Sequence, residues 1–226
     1  LEKNSKSIFV KFPIKKNDNS KFQNCSVVIW TTTPWTLPAN RALAYSNSIE
    51  YQIITFSQDY PNFNLNKGES LIFSKKLFKS FSNENKIKNY KIEDKITGSE
   101  LSKILCSHPL AGLGYEHTIP LIEGFHVTDD TGTGFVHIAP GHGVEDFEIG
   151  QKNNLGIPRT VMYNGIFEKT VPEFSGIHVF KADKPIIEKL EESNNLICVN
   201  DFLHSYPHSW RSKAPLIFRT TSQWFI

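Results

Sequence analysis

Three cysteines and a single methionine are all the sulfur that 226 residues contain. Cys25, Cys106 and Cys198 lie far apart with no Cys-x-x-Cys pair, so they suggest neither a zinc ribbon nor a dithiol redox motif. An odd, scattered set reads as reduced thiols in a cytoplasmic compartment. No apolar run is long enough for a membrane span, and the N-terminus lacks the basic-then-apolar order of a secretory signal. One-sided charge is missing as well: 25 Lys and Arg stand against 23 Asp and Glu. Composition alone therefore makes no case for nucleic acid, although a local basic face stays open. No repeat of 20 to 50 residues is visible. What is present is a 39% hydrophobic content, enough for one globular core. The chain opens at Leu1 rather than Met, as expected of a piece of a longer protein, and its many Lys and Asn residues fit an AT-rich genome, bacterial or organellar.

Residues 26–30, Ser-Val-Val-Ile-Trp, form a β-branched and aromatic run that stops before Pro34, which predicts a buried strand entering a loop. That loop, 31–40, has two prolines that limit its freedom and four hydroxyls in its first six residues. From about 57 to 95 the chain is rich in Asn, Lys and Ser, while Leu71, Ile72, Phe73, Leu77 and Phe78 offer core anchors. This stretch reads as a peripheral strand-and-helix excursion. Residues 133–139 alternate in part between glycine-bearing turns, which predicts a strand, a turn and then a helix over about 144–154. A second helix is expected over 182–193, where Ile186, Ile187 and Leu190 share one face. Without a regular βαβ rhythm, the expected fold is mixed α and β, with a β-barrel-like core and peripheral helices.

The segment from Gly132 to Phe147 sets His137, His142 and Asp146 around a glycine-rich turn at a helix start, where a ligand can approach the backbone closely. Asp146 falls in the first helical turn, a place that carboxylates occupy for the helix dipole alone. A purely helical role and a binding role both stand. Strand alternation sends Val136 and Ile138 to the core and His137 to the opposite face, where it either lines a pocket or is hydrogen-bonded at the surface. Asp130-Thr131-Gly132 resembles the aspartic-protease tripeptide, but that chemistry needs two carboxylates sharing a proton and no second copy occurs. His137, His142 and Asp146 would make a two-histidine, one-carboxylate metal set only if strand, turn and helix brought them together, so no metal is assigned. No Gly-x-Ser-x-Gly elbow or Ser-His-Asp order occurs, and no cysteine has neighbours that would mark a nucleophile. What remains, hydroxyls, an amide, a histidine and an acid, suits positioning a substrate and a water.

The run Trp30-Thr31-Thr32-Thr33-Pro34-Trp35-Thr36-Leu37-Pro38-Ala39-Asn40, followed by Gly132-Thr133-Gly134-Phe135-Val136-His137-Ile138-Ala139-Pro140-Gly141-His142-Gly143-Val144-Glu145-Asp146, closely resembles the editing insert of class I aminoacyl-tRNA synthetases for branched amino acids. Two long motifs in order make the resemblance specific. A third segment, from His204 through Tyr206 and Trp210 to Arg219 and then Gln223-Trp224-Phe225, looks like the return path toward a synthetase body and favours the isoleucyl member over the valyl and leucyl ones. Most of the chain is covered, least of all 57–95. The resemblance implies an editing domain over 1–203 and a return segment over 204–226. The family's ATP-binding signatures, His-Ile-Gly-His and Lys-Met-Ser-Lys-Ser, are absent. Editing would thus need no cofactor, with ATP and magnesium left to the full-length synthetase.

In such a family the expected reaction is hydrolysis of the ester joining a wrongly attached valine to isoleucine tRNA, with valyl-adenylate as a further substrate. One methylene gives only about 1–3 kcal/mol of discrimination, a magnitude for which the isoleucyl enzyme is itself the standard example. A second pocket that admits valine and excludes isoleucine supplies the rest. Carried over by position, Asp146 would hold the α-ammonium, as charge-assisted hydrogen bonding favours, and His137 would border the side-chain pocket. Thr31, Thr32, Thr33 and Asn40 would contact the terminal adenosine and the attacking water, and Trp30 and Tyr206 are further candidates for the pocket wall. His142 receives no role and no general base is identified; water attacks, with a ribose hydroxyl as helper. The partners implied are the tRNA acceptor end and the rest of the synthetase chain, with no membrane, and the isolated domain is expected to be a monomer. Two competing classes are a noncatalytic tRNA-binding insert and a metal hydrolase.

Overall fold

In the computed structural model, residues 1–15 and 20–221 are described; Gln223, Trp224 and Phe225 lie outside them. The chain begins with β1 (Glu2–Pro13) and β2 (Cys25–Thr31), and a buried 3-10 turn (Pro34–Ala39) leads to β3 (Ala42–Tyr45). Then follow β4 (Tyr51–Phe56), β5 (Ser70–Ser74), α1 (Lys75–Glu84), β6 (Tyr90–Ile96), α2 (Gly98–Leu101), β7 (Leu105–Ser107) and β8 (Thr118–Glu123). The glycine-rich segment supplies β9 (Val136–Ile138) and α3 (Val144–Lys152), and α4 (Val179–Glu192) and β10 (Leu196–Ser205) close the fold.

Six strands form one sheet in the order β10-β1-β2-β5-β4-β6, and four form a second in the order β7-β8-β3-β9. β2 lies inside the first sheet, antiparallel to β1 and parallel to β5, which explains why Val27, Val28 and Ile29 run without a polar break. Alternation divides their side chains. Val27 and Ile29 join the main core with Leu43, Trp35 and α4, whereas Val28 faces the cluster that α1 covers with Leu77, Phe78 and Phe81. The fold is mixed α and β with helices outside the sheets, as expected, and the barrel-like part consists of two open sheets rather than a closed ring.

Several elements depart from the sequence expectation. The stretch 57–95 does contain a strand and a helix, but β5 sits between β2 and β4 and every residue of it is buried, so the stretch is interior at that point rather than peripheral. Its Lys residues lie mostly on α1 and β6, and most of its Asn residues in the connecting loops. The strand expected over 133–139 shrinks to β9, because Gly132 and Gly134 adopt φ of 82° and 86°, which L side chains avoid. Tyr51 donates to Gly134 O at 2.6 Å and Ser74 N to Thr133 O at 2.8 Å, pinning that turn to β4 and β5. α3 matches its expected start, and α4 begins three residues early, where the His178 side chain accepts from Phe180 N. β10 runs to Ser205, and Tyr206 N then donates to Leu1 O. No helix among the described residues is long and apolar enough to cross a membrane.

Candidate functional site

β2 ends at Thr31, and the threonine loop folds on itself there: Thr31 Oγ1 accepts from Thr33 N at 3.1 Å and lies 3.2 Å from Thr33 Oγ1. The 3-10 turn follows, and all six of its residues are buried. Thr36 spends its hydroxyl proton on Thr33 O at 2.9 Å. The antiparallel register of β3 and β9, with Leu43 opposite His137, then places His137 beside the turn. Its Nε2 is 3.0 Å from Thr36 Oγ1 and its Nδ1 is 3.4 Å from Asn40 Nδ2. Since the Thr36 proton is already committed, Nε2–H donates to Thr36 Oγ1 and the bare Nδ1 faces the Asn40 amide.

His137 is therefore a buried neutral ring, 8% exposed, and not the surface histidine that the sequence left open. Burial holds its pKa down, to about 4. Asn40 is fully buried; its Nδ2 also donates to Ala42 O at 3.0 Å, and its Oδ1 has no partner. Two residues beyond His137, Ala139 N donates to Asp146 Oδ2 at 2.8 Å, which joins the first turn of α3 to the end of β9. Burial raises the Asp146 carboxyl to about 6. The group is thus mainly ionised at neutral pH, at an energetic cost that a bound cation would offset.

Thr31, Thr33, Asn40, His137 and Asp146 are thus brought together through short links, with Thr32 half-buried in the same loop. Trp30 and Tyr206 are placed differently. Trp30 lies on the face of β2 opposite Thr31 and packs edge-on against Phe202, with ring centroids 5.1 Å apart. Tyr206 donates to Leu216 O at 2.9 Å and carries the Lys3 ammonium 4.3 Å from its ring centroid.

His142, which the sequence left without a role, ties three segments. Its Nδ1 donates to Phe218 O at 2.9 Å, its Nε2 is 2.8 Å from Thr160 Oγ1, and its ring meets the Trp35 indole edge-on at 4.9 Å. Both nitrogens of each of the two histidines are thereby engaged, and no group of three His, Cys, Asp or Glu among the described residues is arranged to hold a metal ion. Asp130 of the Asp-Thr-Gly tripeptide has a side chain 77% exposed, 3.8 Å from Lys76, far from the shared-proton geometry of a protease dyad. Two participants escaped the sequence reading. Thr36 lay in the threonine loop without a marked partner, and Asp183, whose Oδ1 accepts from Trp35 N at 3.2 Å, is 148 residues distant and carried no motif.

No family model matches the chain. Individual proteins do. The isoleucine–tRNA ligase of Pelagibacter ubique is 44% identical over 222 residues, covering 98% of this chain and 24% of that protein. The isoleucine–tRNA ligase of Shewanella halifaxensis is 43% identical over 203 residues, 90% of this chain and 20% of that protein. The chain therefore spans a quarter or less of the length of these relatives. Among solved structures, a leucyl-tRNA synthetase CP1 domain, GlLeuRS-CP1, superposes with a TM-score of 0.64 at 15% identity, over 86% of this chain and 98% of that one. The editing domain of the P. knowlesi cytosolic leucyl-tRNA synthetase gives 0.62 at 12% identity, over 91% and 98%. Identities this low speak for the fold alone. By sequence the chain is a homologue of isoleucine–tRNA ligases along one stretch of their length, and it has the fold of the leucyl-tRNA synthetase editing domains.

Proposed function

We propose that this chain is the editing module of an isoleucyl-tRNA synthetase and hydrolyses the ester of valine misattached to isoleucine tRNA, with valyl-adenylate as a second substrate. The observation that carries this reading is the convergence of the threonine loop, Asn40 and His137 with a half-buried carboxylate, Asp146, one of whose oxygens accepts from Ala139 N while the other has no hydrogen bond among the described residues. An α-ammonium supplies the cation that the ionised Asp146 lacks, through charge-assisted hydrogen bonds. His137 forms a rigid wall rather than a base: burial keeps it neutral and the Asn40 amide faces its free lone pair. A fixed wall of this kind discriminates by size, admitting valine and rejecting the longer isoleucine.

Water is the nucleophile. Its oxygen bonds to the ester carbonyl carbon, the bond from that carbon to the ribose oxygen breaks, and the water proton ends on the ribose oxygen. Thr31, Thr32 and Thr33 offer hydroxyls to place the water and the terminal adenosine, so the rate comes from positioning. Trp30 and Tyr206 remain the further candidates for the pocket wall, Trp30 packed on Phe202 and Tyr206 bonded to Leu216 O. The partners in this reading are the acceptor end of isoleucine tRNA and the rest of the synthetase chain, in the cytoplasm, with ATP and magnesium serving only the synthetic reaction.

The test is release of valine and of isoleucine from isoleucine tRNA by the full-length synthetase and by its Asp146→Ala variant. The expected result is selective loss of valine that disappears in the variant. Retention of both amino acids by the unaltered protein would leave a noncatalytic tRNA-binding insert as the function.

A further inference from the structure

The 3-10 turn Pro34–Ala39 carries Thr36 and leads into Asn40, yet its own residues do little to hold its first backbone groups. Pro34 has no N–H, Thr33 makes no side-chain cap, and Thr36 N is spent on Thr33 O at 3.0 Å. Trp35 N–H is left over, on a residue only 4% exposed, where a missing partner costs as much as a lost hydrogen bond. Its acceptor comes from another element: Asp183 Oδ1 on α4, at 3.2 Å. α4 is fixed at that distance because Val179, Ala182 and Ile186 share the main core with Trp35 and Leu37. Lys3, lying over the Phe180 and Tyr206 rings, is the cation that acts on this half-buried carboxylate.

From Trp35 the links continue to the site. Thr36 follows it directly and accepts from His137, and Asn40 N closes the turn on Leu37 O at 2.9 Å while its amide reaches the other side of the same ring. We propose that Asp183 is a positioning residue for hydrolysis: from α4 it caps the buried turn 34–39 and so sets Thr36 and Asn40 against His137. The inference rests on the editing reading above and adds to it a residue outside the threonine loop and the glycine-rich segment. In this role Asp183 acts through the geometry of the turn. What matters is an acceptor oxygen at that point, not the negative charge.

The full-length synthetase carrying Asp183→Ala or Asp183→Asn separates these roles. With Ala the cap is lost, and kcat for valine release falls about tenfold with KM nearly unchanged, as misplacement of catalytic groups predicts. With Asn an amide oxygen remains to accept from Trp35 N–H, and kcat returns to within about twofold of the unaltered protein. Amide exchange in peptides covering 33–40 speeds up in the Ala variant and not in the Asn variant, while α4 peptides stay protected in both. An Asn variant as slow as Ala, or an Ala variant with unchanged exchange over 33–40, overturns the proposal. If the unaltered synthetase releases no valine, the editing reading fails, and the exchange comparison still decides whether Asp183 caps the turn.

Discussion

At the scale of single residues, the site is held by bonds whose partners can be removed one at a time. Thr36→Val keeps the shape of the side chain but leaves the buried His137 Nε2–H without an acceptor, which should cost about 1–3 kcal/mol in a denaturant titration. Thr36→Ser should lose much less, and equal losses would show that volume rather than the hydroxyl matters. Asp146 behaves in the opposite sense. It ionises near 3.8 when unfolded and near 6 when folded, so its favourable contribution is complete below about pH 4 and is lost as pH rises through about 6. Asp146→Asn should therefore stabilise the protein at pH 7.5 by about 1–2 kcal/mol, after allowance for the lost helix-dipole interaction, and give no gain at pH 4. Thermal melts at the two pH values check this; equal effects at both would mean that the carboxyl is not raised. Thr31, Thr33, Asn40, His137 and Asp146 could be singled out as candidates because each sits in a contiguous motif. The partner of Thr36 could not, since it lies across the β3–β9 pairing.

At the scale of elements, the turn before β9 shows how backbone geometry places a side chain. Gly134 has φ of 86°, and a Cβ there would lie 2.6 Å from Ser74 Cβ, so Gly134→Ala combines strain with a clash. It should cost about 2 kcal/mol or more and shift His137 out of register. Gly68→Ala is the control, with φ of 82° but nothing within 4 Å of the added carbon, and should cost only about 1 kcal/mol. Equal costs would mean that Ser74 moves aside freely. α3 and α4 were readable from their apolar faces and flanking turns, because those signals are local. For β5 the strand and its core anchors were readable but its interior place was not: only pairing with β2 and β4 reveals that Leu71 and Phe73 face one cluster and Ile72 the other.

For the molecule as a whole, buried neutral histidines set the response to acid. His108 donates from Nε2 to Leu37 O and accepts from Leu110 N at Nδ1, and burial lowers its pKa to about 3, as it lowers that of His137 to about 4. Both are protonated near 6.5 in the unfolded chain, so the stability they secure above that pH is lost as pH falls toward about 4. Asp146 and Asp183, each raised to about 6, work the other way between about pH 6 and 4, with smaller shifts. The melting temperature should fall from pH 7 to pH 4, and a flat profile would show that the carboxyls cancel the histidines. Sequence alone determined which residue types could do chemistry and the two motifs that hold them, because hydroxyl loops, glycine turns and helix starts are short-range patterns. It also determined the mixed class of the fold. Only the tertiary structure decided that His137 is buried and neutral, that His142 ties the segment at Phe218 to the glycine-rich turn, and that Asp183 reaches Trp35 from 148 residues away. Burial and long-range pairing depend on how strands distant in sequence are ordered in a sheet, and local spacing does not encode that order.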